Sequence, residues 1–427
     1  MSASNPPEGQ GLSAWQEPNF RWFSIGSLIS MMGRQMLSVA VGWEIYERTH
    51  EAMALGYIGL VQLVPVLLLV LPAGHVVDTR DRRKVLIAAQ WVNVLATAGL
   101  FATSWWHGPV WLMYLWLALV GVGRAFHSPA NAALLPQIVS ASNFTNAVTW
   151  GSINFQAASI LGPALGGLLI ALFHQAAPVY LLDCLCCALF GLFLLGVKSS
   201  QQVVERKEMT LRSLGSGLAF VWKTRIILAA ITLDMFAVLF GGAVALLPIF
   251  AKDILQVGPT GLGWLQTAPS LGAIITGLLL ARRPNFRHSG KWLMVTVIGF
   301  GLATIGFGLS RHFWLSFGML VLTGMFDNVS VVIRQALVQL RTPDAMRGRV
   351  SAINYVFIGT SNELGGYESG LMAHWFGPLF SVVFGGFATV VTVLLCGTLW
   401  PELRQLDRLQ DAEPEVVEES FETLPYS

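Results

Sequence analysis

Gly74-His75-Val76-Val77-Asp78-Thr79-Arg80-Asp81-Arg82-Arg83-Lys84 stands between two apolar runs, residues 55–77 and 85–105. Each run matches the roughly 20 residues that an α-helix needs to cross the hydrocarbon core of a bilayer. A basic cluster between two such runs reads as a short cytoplasmic loop, because Lys and Arg accumulate on that side of a membrane. Extended along the chain, the reading gives an all-α membrane protein made of apolar spans and polar breaks.

Composition agrees. Of 427 residues, 54% are hydrophobic and only 12% charged, with a mean hydropathy of +0.61, whereas soluble domains carry about 25% charge. A water-soluble enzyme is thereby excluded, intrinsic disorder by 25 Phe and 15 Trp, and a collagen-like chain by 43 Gly without a triplet period. Spans are expected at 21–46, 55–77, 85–105, 110–133, 146–173 and 179–197, and again at 226–250, 261–281, 292–309, 313–337, 350–375 and 379–400. The chain then divides into an N-terminal tail (1–20), a six-helix bundle (21–197), a linker (198–225), a second bundle (226–400) and a C-terminal tail (401–427). The linker carries six Lys/Arg, and its residues 211–222 suit either a short helix on the membrane surface or a solvated loop. The tail has eight acids against two bases and is expected to be a disordered end.

With twelve spans both termini share a side. Of 26 Lys and Arg, three lie in spans (Arg34, Arg124, Arg334) and three on one side (Arg48, Lys252, Arg311), leaving 20 on the side of the termini, which is therefore cytoplasmic. Trp22, Trp43, Trp105, Trp106, Trp111, Trp292, Trp314, Trp375 and Trp400 fall near span ends, at headgroup level. Cys184, Cys186, Cys187 and Cys396 lie in apolar runs and read as small hydrophobes, so no metal or cofactor is expected. The first 19 residues show no cleavable signal peptide.

In the loop, Gly74 stands four residues before Asp78 and is followed by a basic cluster with Arg82 and Arg83. Such a pattern lets helices turn tightly while the carboxylate pairs with an Arg or caps a helix. In span 5, Gly162, Gly166 and Gly167 allow close backbone approach and Pro163 frees a carbonyl, the makings of a hinge. A plain packing face of small residues reads the same. A shift of 203 residues lays Gly162, Pro163, Gly166, Gly167 and Leu168 onto Gly365, Gly366, Ser369, Gly370 and Leu371, so the halves echo each other.

The loop resembles the loop 2-3 signature of the major facilitator superfamily, departing from it at Thr79, where Arg is usual, and Asp81, where Gly is usual. Residues 162–167 resemble the superfamily's GPxxGG signature of proton-driven exporters. With Val41-Gly42-Trp43-Glu44-Ile45-Tyr46, Arg124-Ala125-Phe126-His127-Ser128-Pro129-Ala130, Leu134-Leu135-Pro136, Arg347-Gly348-Arg349-Val350-Ser351 and Pro401-Glu402-Leu403-Arg404, the chain resembles the exporter branch that holds enterobactin exporters and Tap-type multidrug efflux pumps. The resemblance implies two six-helix bundles, alternating access with proton exchange, and a central cavity lined by spans 1, 4, 7 and 10.

An ionisable group inside a span costs about 2.5–3.5 kcal/mol or more unless it meets water or a partner. The cavity spans carry Arg34, Arg124, Asp234 and Asp327, with Arg334 further along span 10. Cations in one half and acids in the other suggest a lock that protonation would weaken. Asp327 and Arg334, about 10 Å apart along their helix, cannot pair directly. The proton-coupling candidates are Asp327, then Glu363 in span 11, then Asp234 in shallower, wetter surroundings; a static ion pair is the alternative for each. Arg34, Arg124 and Arg334 are expected as their charge partners, since Arg does not titrate. Asp183 and Glu44 are expected in water at the outer interface, and His127 either titrates or packs. Phe236, Phe240, Trp264 and Tyr355 are candidate contacts for an aromatic substrate, with simple packing as the alternative.

No GxxxxGK[ST] loop or HExxH pair is present, so neither a nucleotide-driven pump nor an intramembrane enzyme is expected, and no catalytic residue is assigned. A non-transporting receptor would normally add a regulatory domain. The expected function is a proton-coupled exporter of a small amphipathic or aromatic compound, drug-like or siderophore-like, in a bacterial inner membrane. It is expected to act as a monomer without nucleotide, nucleic acid or cofactor. An uptake carrier or lysophospholipid flippase of the same fold is the alternative.

Overall fold

The computed structural model describes residues 13–198, 211–282 and 288–407. The expectations for residues 1–12, for linker residues 199–210 and for the acidic tail beyond 407 fall outside the described residues. Within them the chain is helical, with no strand. Six long helices come first: α1 (Pro18–Thr49), α2 (Ala52–Thr79), α3 (Arg82–Trp105), α4 (Val110–Ile138), α5 (Phe144–Phe173) and α6 (Ala177–Gly196). The short α7 (Leu211–Lys223) precedes α8 (Arg225–Phe240), which continues through a 3-10 turn (Gly242–Leu246), α9 (Leu247–Ile249) and a π turn (Phe250–Ile254). Then follow α10 (Gly258–Ala281), α11 (Ser289–Leu309), α12 (Phe313–Arg341), α13 (Asp344–Phe376), α14 (Pro378–Leu399) and α15 (Pro401–Gln405).

Among the described residues, counting Arg225–Ile254 as one, ten helices are long and apolar enough to cross a membrane. The other two, α1 and α13, have 32 and 33 residues but are broken up by polar and charged groups such as Arg34, Glu44, Glu363 and Glu368. Together they are the twelve expected spans. Span 7 is less regular than its apolar pattern suggests. A Cβ at Gly242 would meet Gly365 O and Ser369 Oγ, so the segment needs a glycine there, and Pro248 then removes a backbone donor.

The helices cluster into two units. The first comprises Met1–His50, Leu60–Met209 and Val257–Thr267; the second comprises Glu51–Gly59, Thr210–Gln256 and Ala268–Ser427. In the first unit α1 packs on α5 and α6, and α3 on α4 and α6. In the second, α8 packs on α13 and α14, and α11 on α12 and α14. The internal repeat keeps its register at several points. A shift of 203 residues carries α4 end to end onto α12, and the contact between Gly162 and Gln35 onto that between Gly365 and Val238.

Residues 211–222, open between helix and loop in the sequence, form α7. Its Gly217 fits against Arg349 and Ile353 of α13, its Ser216 Oγ accepts from Arg349 Nη1 at 3.1 Å, and Phe220 and Val221 are buried. Most span-end tryptophans are exposed, Trp106 at 77% and Trp314 at 78% among them, while Trp400 is half-buried and Trp43 is buried at 7%.

Candidate functional site

The loop between α2 and α3 is held by its basic residues. Arg83 donates from Nε to Leu194 O at 2.7 Å and from Nη2 to Leu195 O at 2.5 Å, meeting carbonyls at the end of α6 that have no partner within that helix. Arg82 Nη1 reaches Ala133 O at 3.4 Å in α4. The helix cap comes from Asp81, whose side chain accepts from the backbone N–H groups of Arg83 and Lys84. Asp78 is exposed in the last turn of α2. Gly74 lies inside α2 without a positive φ and with open space around it, so the turn does not depend on it.

The small residues of α5 create two close crossings. A Cβ at Gly162 would meet Gln35, and one at Gly166 would lie 3.0 Å from Met36 Cα, so α5 lies directly on α1. On its other side a Cβ at Gly167 would meet Pro259 O and lie 3.0 Å from Gly263 Cα, while Thr267 Oγ1 donates to Ile160 O at 3.0 Å. Pro163 sits within an unbroken α5, and its carbonyl packs against Gly263. The second unit repeats this. A Cβ at Gly370 would lie 2.8 Å from Gly56 Cα and 3.1 Å from Ala52 O, and one at Gly59 would lie 2.9 Å from Glu363 Oε2. The carboxylate of Glu363 is thus seated on the start of α2.

In the first unit Arg34 Nη1 donates to Ser30 Oγ at 3.2 Å, and Gln90 Nε2 donates to the same hydroxyl at 3.0 Å. Arg34 interacts electrostatically with Asp183 and with Arg124, and His127 feels Arg34. In the second unit Arg334 and Asp234 form an ion pair, both buried. Asp327, one turn and more away on α12, is exposed on the helix surface yet within electrostatic reach of Asp234 and Arg334. The wet, shallow setting expected for Asp234 is corrected by its 5% exposure. Phe236 and Phe240 stack at 6.2 Å, and Phe240 meets Phe384 edge-on at 6.3 Å, so these two rings pack within the second unit. Tyr355 is exposed in the same unit, whereas Trp264 clusters with the first. Among the described residues no His, Cys, Asp and Glu group is placed to hold a metal.

A family model described as transmembrane secretion effector matches residues 10–422. The chain belongs to that family, within the major facilitator superfamily. It is 25% identical over 406 residues to the enterobactin exporter EntS of Shigella boydii and to that of Escherichia coli O1:K1, covering 93% of this chain and 95% of each relative. Among solved structures it is similar to the nucleoside transporter NupG (TM-score 0.71, 14% identity, covering 90% of this chain and 99% of that one). It is also similar to a bacterial homologue of the iron transporter ferroportin (TM-score 0.68, 16% identity, 91% and 99% covered). At such identities these structures speak for the fold alone. The protein is an integral membrane transporter of a small molecule.

Two acids in this secretion-effector chain are not where the sequence places them. Asp183 is 1% exposed in α6, and Glu44 is 6% exposed in α1, where it pairs with Arg48 and accepts from Ser104 Oγ at 2.7 Å. Their positions near span ends suggested water. Both acids are enclosed where α1 packs on α6, Glu44 with Ser104 of α3 beside it and Asp183 against Gly33. The signal available was a charged residue within an apolar run, which is a candidate site by default.

Proposed function

We propose that this transporter is a proton-coupled exporter, carrying a small amphipathic or aromatic compound out of the cytoplasm across a bacterial inner membrane by alternating access, as a monomer with both termini inside. The observation that carries the direction is the 25% identity to enterobactin exporters over 93% of the chain. That their substrate is a siderophore supports a siderophore-like or drug-like compound here. Proton exchange is assigned to Asp327, Glu363 or Asp234, with Arg34, Arg124 and Arg334 as charge partners. The two six-helix halves, 21–197 and 226–400, act as the moving bodies, the glycine crossings give their helices close backbone contact, and Asp78 biases one conformation. Phe236, Phe240, Trp264 and Tyr355 offer ring surfaces to the substrate. Twenty of 26 basic residues support the orientation.

Purified protein in liposomes with an imposed pH gradient tests this with dyes, antibiotics and catecholate siderophores as probes. A probe should accumulate on the acidic side and cease to do so when a protonophore is added. Accumulation on the alkaline side would establish uptake, and indifference to the gradient would overturn proton coupling. Replacing the coupling acid by its amide (Asp327→Asn, Glu363→Gln or Asp234→Asn) should abolish driven export and spare downhill exchange.

A further inference from the structure

Ser30, Arg34 and Gln90 of the first unit fall, by the 203-residue shift, on Leu233, Ala237 and Leu293 of the second. Ser30 and Gln90 are both 0% exposed, as deeply buried as Leu233 at 1% and Leu293 at 0%. One unit thus fills these places with a plain apolar core. The other buries a hydroxyl and an amide there, at a cost that only hydrogen bonds offset. The repeated fold does not ask for that cost. What the polar set holds in place is Arg34.

Asn93 Nδ2 donates to Gln90 Oε1 at 3.3 Å, Gln90 Nε2 donates to Ser30 Oγ at 3.0 Å, and the same hydroxyl oxygen accepts from Arg34 Nη1 at 3.2 Å. Two buried residues of α3 and one of α1 therefore fix one arm of the guanidinium. The other edge of the fork, Nε and Nη2, has no hydrogen-bond partner among the described residues. Arg34 is half-buried, and neither nitrogen is among the unpartnered atoms that the chain seals in. Asp183 of α6 attracts Arg34 without bonding to it, its hydrogen bond coming from the Cys187 thiol at 3.8 Å, and Arg124 of α4 repels it. Ser38, one turn further along the same face of α1, is exposed. A guanidinium edge facing lipid is costly, so this one opens onto water or a ligand.

We propose that Arg34 binds the substrate by taking a carboxylate on its Nε and Nη2 edge, and that the compound carried is an aromatic or amphipathic acid. The inference rests on the transporter reading above and narrows its substrate class. Two parallel N–H groups match the two oxygens of a planar carboxylate, so the pairing is bidentate and gives specificity as well as strength. Ser30 sets the fork beforehand, so little side-chain freedom is lost on binding. The carboxylate of Asp183 close by disfavours a dianion, which places a carboxylate ahead of a phosphate monoester.

Titration calorimetry of the full chain in detergent, with 2-naphthoate and its neutral counterpart 2-naphthamide as the probe pair, tests this. The parent should bind the acid at least tenfold more tightly than the amide. Arg34→Gln should weaken the acid at least tenfold and leave the amide within twofold, a split that a merely structural arginine would not produce. Arg34→Lys keeps the charge without the fork and should restore only part of the preference. A parent that holds both probes alike or binds neither, or an Arg34→Gln protein that keeps the preference, would overturn the inference, as would tighter binding of 2-naphthyl phosphate. Should Arg34→Gln fail to fold, Arg34→Lys decides, and an undiminished preference there tells against the fork. Transport in proteoliposomes separates this inference from the reading beneath it. If probes are driven by the pH gradient while 2-naphthoate competes no better than 2-naphthamide, export stands and the carboxylate site falls. If nothing is driven yet the Arg34-dependent preference holds, proton coupling falls and the site stands.

Discussion

Arg334 and Asp234 form an ion pair buried in the second unit, tying α12 to α8. Removing one partner leaves the other charge uncompensated in a setting that excludes water. Asp234→Ala and Arg334→Ala should each cost on the order of 3–5 kcal/mol, while replacing both by apolar residues of similar size should recover most of the loss. Thermal unfolding in detergent measures this. A single variant as stable as the parent would mean that the pair contributes nothing.

Gly167 and Gly74 offer a contrast within one superfamily signature set. A side chain at Gly167 meets backbone atoms of Pro259 and Gly263, whereas one at Gly74 meets nothing within 4 Å. Gly167→Val should force α10 away from α5 and stop transport. Gly74→Ala should leave packing intact and stabilise α2 by about 0.5–1 kcal/mol, since Ala is the better helix former. Transport assays paired with melting curves separate the two, and an active Gly167→Val would contradict the close crossing.

Asp81 and Asp78 divide structure from function in the loop. Asp81 caps α3, so Asp81→Ala should cost about 0.5–2 kcal/mol. The exposed Asp78 should be dispensable for stability, and Asp78→Asn should lower turnover more than substrate affinity. Equilibrium binding and initial rates on the same preparation test the second statement, which a large affinity loss with normal turnover would refute.

Glu17 anchors the chain ahead of α1 to the loop between α4 and α5. Partial burial would raise its carboxyl, but hydrogen bonds from Asn143 Nδ2 (2.8 Å), Ser140 Oγ (2.7 Å) and Ser140 N (3.1 Å) outweigh it and hold the group below the usual 4.5. Stability from a lowered folded value is present above the unfolded value and lost as pH falls through the folded one. The melting temperature of the parent should therefore exceed that of Glu17→Gln at neutral pH, and the gap should close below about pH 4.5. A gap that persists at lower pH would show that the carboxylate charge is not what holds the loop.

The chain by itself determined the number and order of the spanning helices. A bilayer demands about 20 apolar residues per crossing, and that demand is local and legible wherever an apolar run occurs. The repeat was visible for a similar reason, since the glycine stripe in span 5 recurs 203 residues later and the ends of α5 and α13, at Phe173 and Phe376, keep that spacing. Only the tertiary structure decided which charges meet. Arg334 pairs with Asp234, more than 90 residues earlier in the chain, because α12 and α8 turn those faces toward each other. Asp183 and Glu44 left the water because the contact between α1 and α6 closed over them. Asp81 became the cap of α3 because of its place one residue ahead of the first helical turn. Apolarity sums along a segment, whereas an ion pair depends on the rotation of two helices about their own axes, which is set by every other helix they touch.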